Sequence, residues 1–357
     1  MKYPALLAVE EVLPSLDNYD SIIDVRSESE FALDHIPGAI NCPVLHDAER
    51  VQVGTLYKQT SAFDAKKIGA ALVARNISQH LETQFIDKPR DWKPLIYCWR
   101  GGNRSGAMAH ILAKIGWHAV QLDGGYKEYR RAVNLMLEDQ AERLQFRVIC
   151  GTTGSGKSRL LEALARAGAQ VLDLEQLAAH RGSVLGNLPT EPQPSQKMFE
   201  SRIWQTLRHY SPEQVVFVES ESKKVGNLRV PERLMEKMRS SPCIALTTAT
   251  ALRVKLLMED YTHFVTDADL LGKQLVHLTS LHGHEKIRQW QAMAEAGEME
   301  TLVQELLDLH YDPAYLRSID RNFLQYDTAE ALPLTDISLA SFDATAIALA
   351  KDQLSNS

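Results

Sequence analysis

The glycine-rich stretch at residues 151–158, GTTGSGKS, constrains the fold of this 357-residue chain more than any other feature. It fits G-x-x-x-x-G-K-[ST], a pattern in which backbone amides surround a phosphate and a lysine contacts it. An apolar run at 146–150 precedes it, and a helix-forming stretch reaching about Arg166 follows. Because such a loop connects a parallel strand to a helix N-terminus, the pattern predicts an α/β domain that binds a phosphorylated ligand.

All eight residues of this loop are candidate phosphate-binding residues: Gly151, Thr152, Thr153, Gly154, Ser155, Gly156, Lys157 and Ser158. Glycines let amides approach a phosphate without Cβ clashes, and the lysine supplies a positive charge. The hydroxyl of Ser158 is a candidate Mg²⁺ ligand. We therefore expect Mg²⁺ as a candidate cofactor, no tightly bound organic cofactor, and no further metal site.

Acidic residues follow two later apolar runs. Glu219 and Glu221 follow the run at 215–218, and Asp173 follows 171–172. They are candidates for holding Mg²⁺ or for lining the phosphate site, although solvated strand ends explain Glu219 and Glu221 about equally well. Enzymes that hydrolyse nucleoside triphosphates usually have Asp where this chain has Glu219, which favours phosphate binding over hydrolysis. Arg181 is a candidate for a further anion contact.

A second glycine loop, CWRGGNRSG at 98–106, also lies between an apolar run and a helical stretch. Amides at a helix N-terminus favour the thiolate form of a cysteine. The pattern therefore predicts a nucleophile at Cys98, with Arg100 and Arg104 orienting an oxyanion or a phosphate-like group. The other three cysteines are widely spaced, which favours packing roles and a reducing, cytoplasmic compartment.

Short apolar runs alternate with helical stretches along most of the chain, which predicts two units with parallel sheets. The strand runs are 21–25, 94–97, 119–122, 146–150, 171–174, 215–218 and 243–246. We predict an α/β domain at 1–140, a phosphate-binding α/β domain at 141–270, and a mainly helical, acidic C-terminal extension at 271–357. Within that extension, we expect a long stretch of helical periodicity around 285–309 and a solvated loop at 282–284.

The net charge of -7 is unevenly distributed. Residues 291–357 carry twelve acidic and three basic residues, whereas the rest of the chain has a small positive excess. Two basic windows, 88–131 and 222–255, are solvated surfaces or contacts to an anionic partner. For a nucleic-acid partner, the candidate contacts are Lys223, Lys224, Arg229, Arg233, Lys237 and Arg239. No apolar stretch is long enough to suggest a membrane partner.

Several motifs in residues 10–135 resemble the rhodanese domain. They are DVR at 24–26, HIPGA at 35–39, the Cys98 loop, and DGGY at 123–126. The resemblance implies a rhodanese-like parallel sheet whose loop cysteine handles sulfur or selenium. The cysteine loop is one residue longer than is usual in the family, as in rhodanese-fold phosphatases.

A rhodanese-like domain joined to a P-loop domain, with GTLYK at 54–58, resembles the tRNA 2-selenouridine synthase family. That resemblance implies a tRNA partner with wobble 2-thiouridine, of the Lys, Glu and Gln types. It also implies two steps: geranyl diphosphate alkylates the sulfur, and selenophosphate then replaces the geranylated sulfur with selenium. An enzyme that supplies selenophosphate would be a further partner.

Two alternatives fit the loops without that resemblance. Cys98 and Arg104 have the spacing of a cysteine-dependent phosphatase, or Cys98 serves a sulfurtransferase. Either activity would then be coupled to a regulatory domain that binds a nucleoside triphosphate. Phosphate release from ATP, GTP or an aryl phosphate would favour these alternatives over a tRNA-modifying transferase.

Overall fold

A computed structural model describes residues 3–182, 186 and 191–355, with side chains up to residue 351. The chain forms two compact units. The first takes in Met1–Met136 and Ser195–Trp204, and the second Leu137–Pro194 and Gln205–Ser357.

The first unit contains a five-stranded parallel sheet in the order β1-β5-β4-β2-β3. Its strands are β1 (Ala5–Leu7), β2 (Ser21–Asp24), β3 (Ala39–Asn41), β4 (Pro94–Tyr97) and β5 (Val120–Leu122). All four residues of β4 are buried, because this strand lies at the centre of the sheet. The Cys98 loop therefore begins at the carboxyl end of the central strand, the edge at which parallel sheets commonly bind ligands.

Six helices accompany this sheet: α1 (Val9–Val12), α2 (Glu28–Leu33), α3 (Asp47–Gln59), α4 (Ala62–His80), α5 (Asn103–Ile115) and α6 (Gly125–Arg143). A 3₁₀ segment covers Leu13–Asn18, and a π-helical turn covers Leu81–Phe85. The core packs Ile23 and Ile96 of the sheet against Met108 and Leu112 of α5.

The second unit contains another five-stranded parallel sheet, in the order β12-β11-β6-β8-β7, and a separate antiparallel hairpin of β9 and β10. Its strands are β6 (Gln145–Cys150), β7 (Gln170–Leu172), β8 (Val215–Glu219), β9 (Lys224–Val225), β10 (Leu228–Arg229), β11 (Cys243–Thr248) and β12 (Glu330–Leu334). The 151–158 loop follows β6, again the central strand of its sheet.

The remaining helices are α7 (Lys157–Arg166), α8 (Leu174–Leu177), α9 (Gln196–Leu207), α10 (Glu232–Arg239), α11 (Thr250–Asp260), α12 (Thr262–Thr266), α13 (Ala268–Leu275), α14 (Thr279–Glu295), α15 (Met299–Leu306), α16 (Asp312–Asn322) and α17 (Leu339–Ser355). Two 3₁₀ turns, Val276–Leu278 and Tyr326–Thr328, and a π-helical segment, Leu307–Tyr311, join some of them. No helix in the described part of the chain is long and apolar enough to cross a membrane.

The predicted fold class is confirmed, and all seven predicted strand runs form strands. The stretch predicted to be helical around 285–309 is helical in the structure, but it is divided between α14 and α15 at Gly297, whose φ of 76° is left-handed. The loop predicted at 282–284 is wrong. These residues lie within α14, at a local break where Gly283 has a φ of 78°.

The end of the chain returns to the second sheet after the helical region. Strand β12 pairs with β11, and Phe342 of α17 packs with Leu160 and Leu164 of α7 in one buried cluster. The last strand and helix are therefore integral to the unit that carries the 151–158 loop.

Two candidate sites at glycine loops

The Cys98 loop curves tightly between β4 and α5. Gly101 and Gly102 have φ angles of 70° and 72°, in the left-handed region that side chains disfavour. Gly125 approaches so closely that a Cβ there would lie 2.3 Å from the Cys98 carbonyl oxygen. The amide of Tyr126 donates to that same oxygen at 2.8 Å. The DGGY motif at 123–126 thus packs against the start of the cysteine loop and fixes its position.

The Cys98 thiol is 1% exposed and belongs to a short hydrogen-bond chain. Gln121 Nε2 donates to Ser105 Oγ at 3.2 Å, and Ser105 Oγ lies 3.3 Å from Cys98 Sγ as a donor. The Sγ atom in turn lies 3.7 Å from the Arg100 carbonyl oxygen. This arrangement suits both protonation states, because the carbonyl accepts from a thiol and the hydroxyl stabilises a thiolate.

The two arginines of this loop have different surroundings. Arg100 is exposed, whereas Arg104 is partly buried and pairs with Glu30 at 2.9 Å. Burial opposes ionisation of Glu30, but the hydrogen bond and charge of Arg104 outweigh it, and its pKa lies below the usual value. An incoming oxyanion can therefore contact Arg100 directly, whereas it has to compete with the Glu30 carboxylate for Arg104.

An aromatic surface lies beside the cysteine. Trp99 is 37% exposed and stacks on Tyr126 with ring centroids 5.2 Å apart. The Arg26 guanidinium lies 4.0 Å from the centre of the Tyr126 ring and pairs with the buried Asp24. The Trp99 ring is thus partly exposed and is held in place by Tyr126. It is therefore a suitable stacking surface for a nucleobase.

The 151–158 loop forms an anion cradle at the start of α7. Gly154 and Gly156 adopt left-handed φ angles of 75° and 94°. Lys157 Nζ folds back and donates to the carbonyls of Gly151 at 2.7 Å and Thr152 at 3.4 Å. The loop lines a cavity of about 370 Å³. The lysine thus lines a space large enough for a small phosphorylated ligand.

Side chains from the helical region hold this loop in place. Tyr315 Oη accepts a hydrogen bond from the Gly151 amide at 2.6 Å. Arg253, which is 4% exposed, donates to the Thr153 carbonyl from Nε at 2.9 Å and pairs with Asp312 at 2.6 Å. These contacts support the rigid geometry that a phosphate cradle requires.

Three carboxylates meet in the lining of the same cavity. The side chains of Glu175, Glu219 and Glu221 each place an oxygen within 4.8 Å of the others. Both carboxylate oxygens of the fully buried Glu219 lack a hydrogen-bond partner within the described residues. Ser158 Oγ donates to Glu175 Oε2 at 3.3 Å. A buried, unpaired carboxylate beside two others is costly unless it binds a proton or a cation.

The pKa values of these carboxyl groups reflect their environment. Burial, together with the nearby charge of Glu221, raises the pKa of Glu175 to about 8. Burial also raises the pKa of Glu219 well above its usual value, with further contributions from Glu175 and Glu221. The pKa of Glu221 is raised by burial as well. Because Mg²⁺ prefers hard oxygen ligands, the residues present fit a Mg²⁺ site formed by this cluster and Ser158.

The other predicted site residues occupy separate places. Asp173 caps helix α8 by accepting a hydrogen bond from the Gln176 amide at 2.8 Å, and it lies outside the three-carboxylate cluster. Arg181 lines the cavity, with its guanidinium 5.2 Å from the centre of the Tyr261 ring. Asp173 therefore shapes the backbone, whereas Arg181 is positioned for an anion contact.

Four of the six basic nucleic-acid candidates are exposed, namely Lys223, Lys224, Arg229 and Arg233. Lys223 pairs with Glu232 at 2.7 Å, and Arg233 with Glu236 at 3.1 Å. The remaining two, Lys237 and Arg239, are partly buried in α10. Exposed ion pairs of this kind are weak and exchange readily for phosphate contacts.

Sequence reasoning missed several residues that shape the two sites. Around Cys98 these are Glu30, Ser105 and Gln121; in the second unit they are Arg253 and Tyr315. Only Ser105 carried a local signal, because it lies in the loop itself. The contact between Gly151 and Tyr315 joins residues 164 positions apart, a separation that no local pattern records.

Comparison with known proteins gives two family matches. Residues 8–132 match the rhodanese-like domain, and residues 144–270 match the family described as "tRNA 2-selenouridine synthase AAA domain". The first match covers the Cys98 loop and the second covers the 151–158 loop. Each match therefore contains one of the two sites.

Curated relatives and one solved structure are also similar to parts of this chain. A tRNA 2-selenouridine synthase of Sulfurovum sp. is 33% identical over 353 residues, covering 87% of this chain and 94% of the relative. The Nitrosomonas europaea protein of that name is 36% identical, covering 67% of this chain but only 63% of its own length. The N-terminal domain of a putative ATP/GTP binding protein from Clostridium difficile is 34% identical over 36% of this chain, with a TM-score of 0.32.

Proposed function

The chain belongs to the tRNA 2-selenouridine synthase family, and we propose that it converts wobble 2-thiouridine in tRNA to 2-selenouridine in two steps, one at each glycine loop. The observation that carries the proposal is the difference between the side chains that surround the two loops. One offers a thiol with a hydroxyl donor, and the other offers a lysine facing three carboxylates.

In the first step, the thiouridine sulfur attacks C1 of geranyl diphosphate. The new C–S bond forms as the C1–O bond breaks, diphosphate leaves with the electron pair, and the N3 proton of the base passes to solvent. The amides of the 151–158 loop and Lys157 stabilise the charge that develops on the departing diphosphate. This step needs no hydrolysis of a nucleoside triphosphate, which agrees with Glu219 standing where such enzymes usually carry Asp.

Mg²⁺ is proposed as the cofactor of this step. Glu175, Glu219, Glu221 and Ser158 would hold it, and its charge would offset that of the diphosphate oxygens. The residues of the chain itself orient the head group through the loop amides and keep Lys157 beside it. Arg181, at the cavity wall, is positioned to contact an outer phosphate oxygen.

In the second step, selenium of selenophosphate attacks C2 of the geranylated base. The C2–S bond breaks, geranylthiolate leaves with the electron pair and takes a proton, and water then cleaves the Se–P bond to release phosphate. Arg100 and Arg104 bind the selenophosphate oxyanion, and the Cys98 thiol donates the proton to the leaving sulfur. The resulting thiolate is stabilised by Ser105. This sequence balances without an oxidant.

The tRNA substrate is bound through its phosphates by exposed basic residues, including Lys224 and Arg229. Trp99 stacks on the target base. The substrates are tRNAs of the Lys, Glu and Gln types, the reaction takes place in the cytoplasm, and a separate enzyme supplies selenophosphate.

The test is mass analysis of nucleosides from thiolated tRNA incubated with the protein, first with geranyl diphosphate and then with selenophosphate. The expected products are S-geranyl-2-thiouridine after the first addition and 2-selenouridine after the second. Unchanged 2-thiouridine after both additions would contradict the proposal. Phosphate release from ATP, GTP or an aryl phosphate would instead support the phosphatase or regulatory alternatives.

A further inference from the structure

A second cavity, of about 60 Å³, lies inside the helical region of the second unit. It is formed by residues of α11, α12, α13 and α15, together with the π-helical segment Leu307–Tyr311. Its interior is apolar and includes Phe264, Met299, Leu302 and Val303. Phe264, Met299 and Leu302 belong to the buried cluster of this region, so the cavity is an apolar recess in that packed core, partly open to solvent.

This apolar cavity adjoins the phosphate cavity. Thr153, Leu257, Tyr261 and Tyr311 line both. The phosphate loop packs directly on this wall, since a Cβ at Gly154 would lie 2.8 Å from Leu257 Cγ. A ligand whose phosphates occupy the loop therefore has an apolar compartment directly beside its other end.

We infer that the apolar cavity binds the hydrocarbon end of a prenyl diphosphate and sets the length of prenyl chain that the site accepts. This inference rests on the proposed function and deepens it. Every described lining residue with a side-chain hydroxyl, namely Thr153, Tyr261 and Tyr311, belongs to the wall shared with the phosphate cavity. The rest of the described lining is apolar, so it offers no hydroxyl, amide or charged group to a nucleotide base and suits a hydrocarbon.

The size of the cavity indicates which chain fits. A volume of 60 Å³ holds roughly four to six groups of about the size of a water molecule. That is close to one five-carbon isoprene unit. The first isoprene unit of a ten-carbon chain would then lie with the diphosphate, and the second would fill the apolar cavity. A five-carbon chain leaves the cavity empty, and a fifteen-carbon chain exceeds it.

The test compares dimethylallyl, geranyl and farnesyl diphosphates as substrates of the full-length protein with thiolated tRNA. Val303→Phe fills the cavity from a half-buried position, and Met299→Ala enlarges it. Gln304→Phe, at the neighbouring exposed position of α15, is the matched control. Inhibition by inorganic diphosphate separately measures how tightly the 151–158 loop binds phosphate.

We expect wild type to prefer geranyl diphosphate over both other chains by about tenfold or more in kcat/KM. Val303→Phe raises the KM for geranyl diphosphate by about tenfold and leaves inhibition by inorganic diphosphate unchanged. Met299→Ala shifts the preference toward the farnesyl chain. Gln304→Phe behaves as wild type.

Two results would overturn the inference while leaving the proposed function standing. One is equal transfer of all three chains by wild type. The other is geranyl transfer that neither cavity variant alters, or that falls only in parallel with inorganic diphosphate binding. A wild-type protein that neither binds geranyl diphosphate nor transfers its chain would overturn the proposed function itself, and the inference with it.

Discussion

The two glycine loops of this protein share one backbone design but differ in the side chains that surround them. Each loop follows the central strand of a parallel sheet, turns through left-handed glycines and ends at the N-terminus of a helix. Around Cys98 lie a hydroxyl donor, two arginines and one carboxylate. Around Lys157 lie three clustered carboxylates, two buried and one half-buried, and the cavity of about 370 Å³.

The difference shows what a glycine loop does and does not specify. The loop supplies amides and a helix terminus, which favour any anion. Neighbouring residues then decide the chemistry. A thiol next to a hydroxyl suits proton transfer or nucleophilic work, whereas a lysine opposite clustered carboxylates suits a phosphate with a divalent cation. We therefore expect damage to one loop to leave the other step largely intact.

The largest expected effect follows from removing the thiol. Cys98→Ala should slow selenium incorporation by about a thousandfold, because the leaving geranylthiolate loses its proton donor, and S-geranyl-2-thiouridine should accumulate when both co-substrates are supplied. Nucleoside mass analysis measures both quantities. The matched control is Cys42→Ala, because Cys42 is buried in the same unit and burial raises the pKa of its thiol to about 12. Selenouridine formation at the wild-type rate by Cys98→Ala would show that Cys98 is not required for selenium incorporation.

Removal of the lysine should have the next largest effect, on the other step. Lys157→Ala should reduce geranyl transfer by about a hundredfold to a thousandfold, since one charged contact to the leaving diphosphate is lost. Radiolabelled geranyl diphosphate measures the rate. Lys255→Ala, which removes an exposed lysine from the same unit, should have no effect. Wild-type geranyl transfer by Lys157→Ala would show that the loop does not hold the diphosphate.

A smaller effect concerns stability and pH. Burial and the charge of Glu221 raise the pKa of Glu175 to about 8, above its ordinary value of 4.5. The folded state therefore binds this proton more tightly than the unfolded state. That contribution is complete below pH 4.5 and is lost as the pH rises toward 8.

Without divalent cations, we expect the free energy of unfolding to fall by more than about 1 kcal/mol between pH 5 and pH 8. Urea denaturation measures it, and added Mg²⁺ should reverse part of the loss at pH 8. Glu175→Gln should flatten the plot of the free energy of unfolding against pH. Glu259→Gln, at an exposed residue of the same unit, should leave it steep. A profile that is flat in wild type would contradict the described carboxylate cluster.

The smallest effect is expected at the surface, away from both loops. Each tRNA phosphate contact removed should flatten the plot of log affinity against log salt by about one unit. The double variant Lys224→Ala, Arg229→Ala should therefore lose about two units of slope, as measured by filter binding. Lys66→Ala and Lys67→Ala, exposed on α4, form the control pair. An unchanged slope in the double variant would exclude this surface from tRNA binding.

The local parts of the fold were predictable from the sequence, and the reason is visible in its strands. Interior strands such as β4 and β8 are continuous apolar runs, because both faces of a parallel sheet are buried. Edge strand β12 gives no such signal. It is mostly exposed and contains Pro333, which an edge strand tolerates.

The candidate sites were predictable only where residues lie next to each other in the chain. Both loops could be recognised, since their glycines, Cys98 and Lys157 are contiguous with a strand and a helix. The pairing of Arg104 with Glu30 spans 74 positions, and the clamp between Arg253 and Thr153 spans 100. Such contacts depend on tertiary packing, so no local pattern contains them.

The measurement that tests the division of labour most directly uses purified tRNA already carrying S-geranyl-2-thiouridine, with selenophosphate as the only added co-substrate. Nucleoside mass analysis then follows 2-selenouridine formed by wild type, Lys157→Ala and Cys98→Ala. The account predicts that Lys157→Ala matches wild type and that Cys98→Ala forms almost none. The opposite pattern, or equal loss in both variants, would contradict it.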